Sequence, residues 1–389
     1  MRIGRIGLVV GFALAACGTD SNNNAATESN SKAPGHLPKS PPGASGQEIF
    51  RYHTFGDEQK WTDTLRMHEV IAAAVSPTVA LSVGLKVDAD ALPPGILGTV
   101  DLDDPATTVA LLSLNAVVGV MGTVENGELK EVGITCALCH STVDDSVAPG
   151  IGHRLDGWPN RDLNPGAIIA LSPALTDAQR AAYSSWGAGY YDPRFNIDGI
   201  NDPVVLPPAF GLAGVAAETY TGDGPISYWN AYVAITQMGG KGDFSDPRLG
   251  IFIDQEPDLV TPRLPALRDY QLSLATPPPP AGSFDAVAAA RGQLVFEEYC
   301  SSCHAGAQYT DSPALHDAAE TGMEALYATR SATRQYRTTP LRALWQHPPY
   351  FHDGSAATLE AVVDHYAAVL GLELAACDKR DLVEFLKSI

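Results

Sequence analysis

One five-residue pattern, Cys-x-x-Cys-His, occurs twice in this chain and constrains its fold more than any other feature. It spans residues 136–140 and residues 300–304. Two thiols three positions apart on a helical turn can each form a thioether with a haem vinyl group, and the next imidazole can reach the iron. The spacing is therefore the attachment signature of a c-type haem. We predict two covalent haems, held by Cys136, Cys139 and His140 and by Cys300, Cys303 and His304, with the two histidines as iron ligands.

Two other uses of a Cys-x-x-Cys pair fit the sequence less well. The halves of a four-cysteine zinc site usually lie about 15–20 residues apart, whereas Cys136 and Cys300 are 164 positions apart. A redox disulfide is expected beside a βαβ unit and does not require a following histidine. The chain has six cysteines, so haem attachment leaves only Cys17 and Cys377. No structural disulfide is expected.

The N-terminus has the pattern of an export signal. Two arginines precede an apolar run at residues 6–14, which is too short for a membrane-spanning helix. Small residues then lead into Cys17, as in bacterial lipoproteins, so we predict a signal peptide at residues 1–16 and lipidation of Cys17. The alternative is an ordinary signal peptide with an incidental cysteine. Gly18, where retained lipoproteins have Asp, favours the outer membrane, and the predicted location is the periplasm with a lipid anchor. Export fits c-type haem, which is attached outside the cytoplasm.

Composition divides the remaining chain into three parts. Residues 17–45 are rich in Ser, Asn, Pro and Gly, which predicts a disordered, flexible tether. A polyproline segment at residues 277–280 marks a further boundary. We therefore predict an N-terminal haem domain with an extra helical segment at residues 46–276 and a C-terminal cytochrome c domain at residues 277–389. The predicted fold class is mostly α, with two cytochrome c-like domains, the first atypical, and long loops.

The two motifs have different sequences before them. Residues 286–299 are predicted to form a helix. Within it, Gly292 and Phe296 match the Gly-x-x-x-aromatic pattern, in which the glycine lets a C-terminal helix cross closely. Here that second helix is predicted at residues 378–387. Residues 127–133 before the first motif make a poor helix, which is why the first domain is expected to be atypical. The apolar stretch at residues 108–121 predicts a buried helix.

The net charge of the chain restricts its partners. It is −20, and becomes −22 once the two arginines of the signal are removed. Such a surface repels nucleic acid and suits a small basic redox carrier protein. The acidity could equally serve only the solubility of an exported protein.

The C-terminal part resembles the bacterial di-haem cytochrome c peroxidase superfamily, including the MauG-type di-haem oxidoreductases. The resemblance rests on TPLR at residues 339–342, PYFHDGS at 349–355 and ATLE at 357–360. It covers residues 284–389 well, 134–270 loosely and 47–124 not at all. It implies two mostly helical cytochrome domains whose haems face each other, one relaying electrons and the other open to peroxide.

The ligand on the far side of each iron decides between relay and peroxide chemistry. For the first haem, His153 lies where the peroxidases place a ligand that leaves on activation. The rival ligand is Met238, which precedes a double glycine and is slightly favoured. The alternative role of His153 is a contact with a propionate, and that of Met238 is core packing. For the second haem, MauG-type relatives have a tyrosine that Tyr366 matches, although Tyr366 could instead only pack on the haem. His352 is assigned to a propionate or to the domain interface in preference to the iron.

The same relatives carry an interdomain calcium ion. The matching positions are the carbonyls of His347 and Pro349 with Asn160 or Asn164, which are oxygen ligands of the kind calcium prefers. The other neighbours expected near the propionates or between the haems are Arg154, Arg342 and Trp345.

Two functions stay open from the sequence. The first is electron transfer through two covalent haems. The second is a peroxidase-like oxidoreductase that reduces hydrogen peroxide with electrons from a small carrier, with His153, Tyr366 and His352 as candidate catalytic residues.

Overall fold

Short helices joined by long loops make up most of the ordered structure, and the strands form only small two-stranded sheets. A computed structural model describes residues 44–389, all of which belong to one compact unit. The predicted signal peptide, Cys17 and the tether up to residue 43 lie outside the described residues. Within residues 44–389, no helix is both long enough and apolar enough to cross a bilayer.

The helices are α1 (Gly46–Tyr52), α2 (Met67–Ala74), α3 (Pro77–Ser82), α4 (Pro105–Ser113), α5 (Ala137–His140), α6 (Pro165–Ala170), α7 (Asp177–Ser184), α8 (Phe195–Asp198), α9 (Ile226–Tyr232), α10 (Leu264–Ser273), α11 (Ala286–Tyr299), α12 (Ala318–Thr321), α13 (Leu326–Thr329), α14 (Leu359–Val369) and α15 (Ala376–Lys387). A π-helical turn, Val233–Met238, continues α9. The strands are β1 (Val87–Asp88), β2 (Val120–Glu125), β3 (Glu128–Ile134), β4 (Ser141–Val143), β5 (Ile151–Gly152), β6 (Arg154–Asp156), β7 (Tyr190–Tyr191), β8 (Val204–Val205), β9 (Phe244–Asp246), β10 (Ile251–Ile253), β11 (Leu315–His316) and β12 (Tyr336–Arg337).

A β-hairpin leads into the first motif, and it corrects one sequence prediction. Strand β2 pairs antiparallel with β3, and the connecting turn is Asn126 and Gly127, both at positive φ. Asn-Gly is a strong signal for a two-residue hairpin turn, because both positions tolerate positive φ. The prediction of one buried helix over residues 108–121 is wrong in its second half, since α4 ends at Ser113. The class is accordingly mixed helical with small sheets.

Helices α11 and α15 cross closely at Gly292, as the sequence predicted. A Cβ atom on Gly292 would lie 1.9 Å from the carbonyl oxygen of Asp381. Beside this crossing the rings of Phe296 and Phe385 pack with centroids 5.0 Å apart. The two helices and α14 share one apolar core with Leu344. This core carries the second motif, which begins directly after α11.

Buried ion pairs attach the segment after the second motif to the preceding part of the chain. The Arg330 guanidinium, only 3% exposed, donates Nη2 to Asp192 Oδ1 at 3.0 Å and Nε to Asp198 Oδ2 at 2.8 Å. The backbone N–H of Val205 donates to the His352 carbonyl oxygen at 2.7 Å. Charged groups buried as pairs are costly to separate. The domain boundary at residues 276 and 277 stays a prediction.

The Gly292 crossing can be tested with Gly292→Val. The added side chain must push two helix backbones apart, so we expect a loss of about 2–3 kcal/mol in the free energy of unfolding, measured by urea denaturation. Ala290→Val, on the exposed face of the same helix, should cost only the difference in helix propensity, about 0.5 kcal/mol. Equal denaturation midpoints for the two variants would contradict the crossing.

Candidate haem centres

Helix α5 places the first motif in the wall of a large, mainly apolar cavity. Cys136 directly precedes this single helical turn, and Cys139 and His140 lie within it. All three side chains line the cavity. Neither cysteine is in a disulfide, and burial raises the pKa of both thiols to about 12. Both sulfurs are thus present as neutral thiols facing a space that an apolar ring can fill.

The orientation of His140 is fixed by one hydrogen bond. Its Nδ1 donates to the carbonyl oxygen of Pro207 at 3.1 Å. This bond sets the tautomer with the lone pair on Nε2, as in histidines that ligate metals. Burial lowers the pKa of His140 to about 4, so the imidazole is neutral at physiological pH. His140 is therefore prepared to ligate iron.

Of the two rival ligands for the first iron, the structure brings only Met238 to this cavity. Met238 is 3% exposed and lines the same cavity as His140. Its carbonyl oxygen accepts a hydrogen bond from Trp61 Nε1 at 3.0 Å, and Gly239 at φ +90° ends the π-helical turn. The side chain of His153 is 58% exposed outside the cavity, with Nδ1 2.8 Å from Asp90 Oδ1.

The histidine of the second motif is oriented by the same kind of hydrogen bond as His140. The Nδ1 atom of His304 donates to the carbonyl oxygen of Tyr309 at 2.9 Å, and burial lowers the pKa of His304. Tyr366 lies in α14 close to this motif. Burial, together with the thiols of Cys303 and Cys300, raises the pKa of Tyr366 to about 12. Its hydroxyl makes no hydrogen bond with any other residue in the range 44–389. The structure thus brings Tyr366 and the second motif together.

His352 is buried and hydrogen-bonded, and it is not among the residues that line the first cavity. Its Nε2 lies 3.1 Å from the Tyr336 hydroxyl, and its ring stacks on that of Tyr327 with centroids 5.7 Å apart. Its carbonyl oxygen accepts from β8. The assignment of His352 to a propionate or to the domain interface stays a prediction.

The walls of the first cavity contain buried polar groups without partners among residues 44–389. Native proteins leave few such groups unsatisfied. Together with the apolar wall and the two free thiols, these groups fit an apolar ring that bears carboxylates, which is a haem. The unpartnered atoms that line the cavity are Glu218 Oε1, Thr219 Oγ1, Trp229 Nε1, Arg337 Nε, Arg342 Nη1 and His347 Nε2.

The residues named for calcium make several other contacts in the structure. The His347 carbonyl oxygen accepts a hydrogen bond from Arg161 Nη2 at 3.3 Å. The side-chain amide of Asn160 donates to a backbone carbonyl at 2.9 Å, and the side-chain oxygen of Asn164 caps α6. A guanidinium on the His347 carbonyl disfavours a cation there, whereas the side-chain oxygen of Asn160 is buried without a partner among residues 44–389. The calcium site stays a prediction.

Two of the predicted haem neighbours have different environments. Arg154 is buried against Asp88, with Nε 2.6 Å from Oδ2, and does not line the cavity. Trp345 packs edge-to-face on Trp158, with ring centroids 5.7 Å apart. Trp158 follows Gly157, whose N–H donates to the His140 carbonyl oxygen at 2.8 Å. Sequence reasoning missed Trp158, which no local pattern distinguishes.

The fold and the site define a helical protein with two haem c attachment motifs. The chain is 32% identical over 111 residues to the methylamine utilization protein MauG of Methylorubrum extorquens. This match covers 23% of the chain and 30% of that protein, so the chain spans less than a third of the length of the curated relative it matches. No protein-family model matches the chain. The resemblance to the MauG-type di-haem superfamily, predicted from the sequence, is confirmed by this match.

Two solved structures match part of this chain with low scores. Hydrazine synthase of Kuenenia stuttgartiensis is 18% identical and covers 53% of this chain and 74% of its own, with a TM-score of 0.34. A MauG-like protein associated with microbial copper homeostasis is also 18% identical and covers 50% of this chain and 75% of its own, with a TM-score of 0.35.

Haem content tests both attachment motifs. We expect wild-type protein to bind two haems and a Cys136→Ala/Cys139→Ala variant to bind one, because both thioethers of the first site are then absent. Pyridine haemochrome absorbance per mole of protein gives the count. Cys377→Ala, a free cysteine outside the motifs, is the control and should retain both. An unchanged haem content in the double variant would contradict attachment at the first motif.

Proposed function

We propose that this chain is an exported di-haem c-type cytochrome that transfers electrons through two covalent haems. Haem iron, when bound, supplies one-electron redox chemistry. Three observations support the proposal: the twofold motif, the neutral imidazoles oriented by backbone carbonyls, and the similarity to MauG. The observation that carries it furthest is that His140 and Met238 line one cavity.

For the first haem we assign His140 and Met238 as the two axial ligands. Met238 is positioned by the Trp61 hydrogen bond to its carbonyl and by the Gly239 turn, so its thioether needs no rearrangement to remain in the cavity. A methionine ligand raises the haem potential, and an iron with two strong ligands carries electrons without binding substrate. This pair suits a relay.

For the second haem we assign His304 and Tyr366. An anionic oxygen ligand lowers the haem potential relative to methionine. The phenol is neutral in the protein alone, since its pKa is about 12, and binding to iron would remove its proton. The two haems then differ in potential, which gives electron flow a direction.

The alternative function is a peroxidase-like oxidoreductase that reduces hydrogen peroxide with electrons from a small carrier. One observation favours it: the Tyr366 hydroxyl has no hydrogen-bond partner among residues 44–389, so no hydrogen bond in that range would have to break when the tyrosine is displaced. The other candidate catalytic residues are committed elsewhere, His153 to Asp90 and His352 to Tyr336.

The cellular setting is part of the same proposal. The signal peptide and lipidated Cys17 would tether two cytochrome c-like domains, divided near residue 277, in the periplasm at the outer membrane. The charge of −20 supports a small basic redox carrier as partner and gives no support to nucleic acid binding.

The ligands of the first iron can be assigned spectroscopically. We expect wild-type protein to show the near-infrared methionine–iron charge-transfer band, and Met238→Ala to lose it and to have a lower potential for one haem. His153→Ala is the matched control and should keep the band. A band that survives in Met238→Ala, or disappears in His153→Ala, would refute the assignment.

Peroxide separates the two functions. Electron transfer alone predicts no catalytic consumption of hydrogen peroxide by the protein with an electron donor, at any degree of pre-reduction. Sustained turnover in wild type whose rate changes in Tyr366→Phe, but not in His153→Ala, would establish the oxidoreductase instead.

A further inference from the structure

Three arginines from distant parts of the chain meet on one side of the first cavity. Arg161 lies in the loop after the first motif, and Arg337 and Arg342 lie after the second motif. Arg337, Arg342 and His347 line the cavity directly. Arg161 lies behind His347, to whose carbonyl oxygen it donates. We call Arg161, Arg337 and Arg342 the arginine cluster.

The cluster carries more positive charge than its surroundings neutralise. Burial lowers the pKa of all three arginines. The Glu218 carboxylate opposes this effect for Arg337 and Arg342, and no carboxylate among residues 44–389 does so for Arg161. The distance from Glu218 Oε2 to Arg337 Nη1 is 3.5 Å. Three guanidinium groups against one carboxylate leave a net charge of +2. His347 adds no charge, because burial lowers its pKa to about 3.

Several N–H groups of the cluster point at no acceptor. Within residues 44–389, Arg161 Nε and Nη1, Arg337 Nε and Arg342 Nη1 are buried without a hydrogen bond, as are the neighbouring Trp345 Nε1 and His347 Nε2. A buried polar group left unpaired costs about 1–3 kcal/mol, and a charged one costs more. A bound water could accept a hydrogen bond but would leave the excess charge uncompensated.

The glycine at position 211 shows that room is kept for Arg342. Gly211 has φ +61°, and a Cβ atom there would lie 2.8 Å from Arg342 Nη1 and 2.9 Å from its Cδ. A larger residue would push the guanidinium from its position at the cavity wall. The local backbone therefore serves to place Arg342.

We propose that the arginine cluster holds the two propionate groups of the haem on the first motif, a proposal that rests on the proposed function. The two carboxylates supply two negative charges, which match the excess charge of the cluster. The first haem is assigned because Cys136 and His140 line the cavity that contains Arg337 and Arg342. Guanidinium groups form paired, charge-assisted hydrogen bonds with carboxylates.

The cluster also links the two motifs. Arg337, Thr339, Pro340 and Arg342 line the first cavity, and the neighbouring Thr338 carbonyl oxygen accepts a hydrogen bond at 2.6 Å from Thr310 Oγ1, which lies in the segment after the second motif. Propionates bound there would connect the first haem to the segment that supports the second. Neutralising the propionates raises the potential of the haem that carries them, because less negative charge then stabilises the oxidised iron.

Redox titration of the holoprotein tests the cluster. We expect Arg342→Gln, which removes charge and keeps hydrogen-bonding capacity, to lower the midpoint potential of the first haem, followed at the methionine–iron band. Arg342→Lys should restore a potential close to wild type. Glu218→Gln, which removes the competing carboxylate, should shift the same potential upward. The control is Arg268→Gln. Arg268 is an exposed arginine outside the cavity, paired with Asp269. Its replacement changes the net charge by the same amount as Arg342→Gln and should leave the midpoint potential of the first haem unchanged.

The outcomes separate the proposal from its premise. A merely structural role would not shift the midpoint potential of the first haem in opposite directions in the Arg342→Gln and Glu218→Gln variants. Opposite shifts therefore support the role of the arginine cluster, even if one variant folds poorly. The pyridine haemochrome assay first shows that each variant carries two haems. If the midpoint potentials of such variants are unchanged, or if only the potential of the second haem shifts, the proposed role of the arginine cluster is wrong. A wild-type protein without haem on the first motif would refute the proposed function itself, and with it this proposal.

Discussion

The hydrogen bond from each motif histidine to a backbone carbonyl is the interaction on which the two centres depend. For His140 the acceptor, Pro207, lies 67 residues further along the chain, whereas for His304 it is Tyr309, only five residues away. The second site can therefore form within one local segment. The first requires the loop at residues 205–210 to be in place, and that loop is itself held by His352 and Gly157 through backbone hydrogen bonds. The first centre is thus a product of the whole fold and the second largely a product of its own segment.

The surroundings of the two motifs differ in the same way. Helices α11, α14 and α15 give the second motif a packed apolar core that includes Phe296. The first motif faces an apolar cavity bordered by two separate cores, and several N–H groups of the arginines at one side of it have no hydrogen-bond partner in the described chain. A haem there would replace core packing, and its propionates would satisfy the charges. Cofactor binding and folding are accordingly coupled more strongly at the first site.

The reliability of the sequence predictions followed the range of the interactions involved. The motifs and the helix at residues 286–299 are local patterns, and the structure contains them as predicted. The Gly292 crossing joins residues 89 positions apart, Gly292 and Asp381, but the Gly-x-x-x-aromatic pattern that predicted it is itself local. The hairpin at β2 and β3 was missed because its apolar residues were given more weight than the Asn-Gly turn. Arg161 and Glu218 could not have been singled out, since their neighbours come from residues more than 100 positions away. The contact of Arg161 with the His347 carbonyl could not be foreseen for the same reason, since that guanidinium comes from a distant loop.

The central claim is that His140 and Met238 bind one iron while His304 and Tyr366 bind the other. The most direct measurement is a crystal structure of the haem-loaded protein. The account predicts that the first iron is bonded to His140 Nε2 and the Met238 sulfur, and the second to His304 Nε2 and the Tyr366 oxygen. A first iron bonded to His153, or one whose far side faces solvent with Met238 packed away from it, would contradict the account.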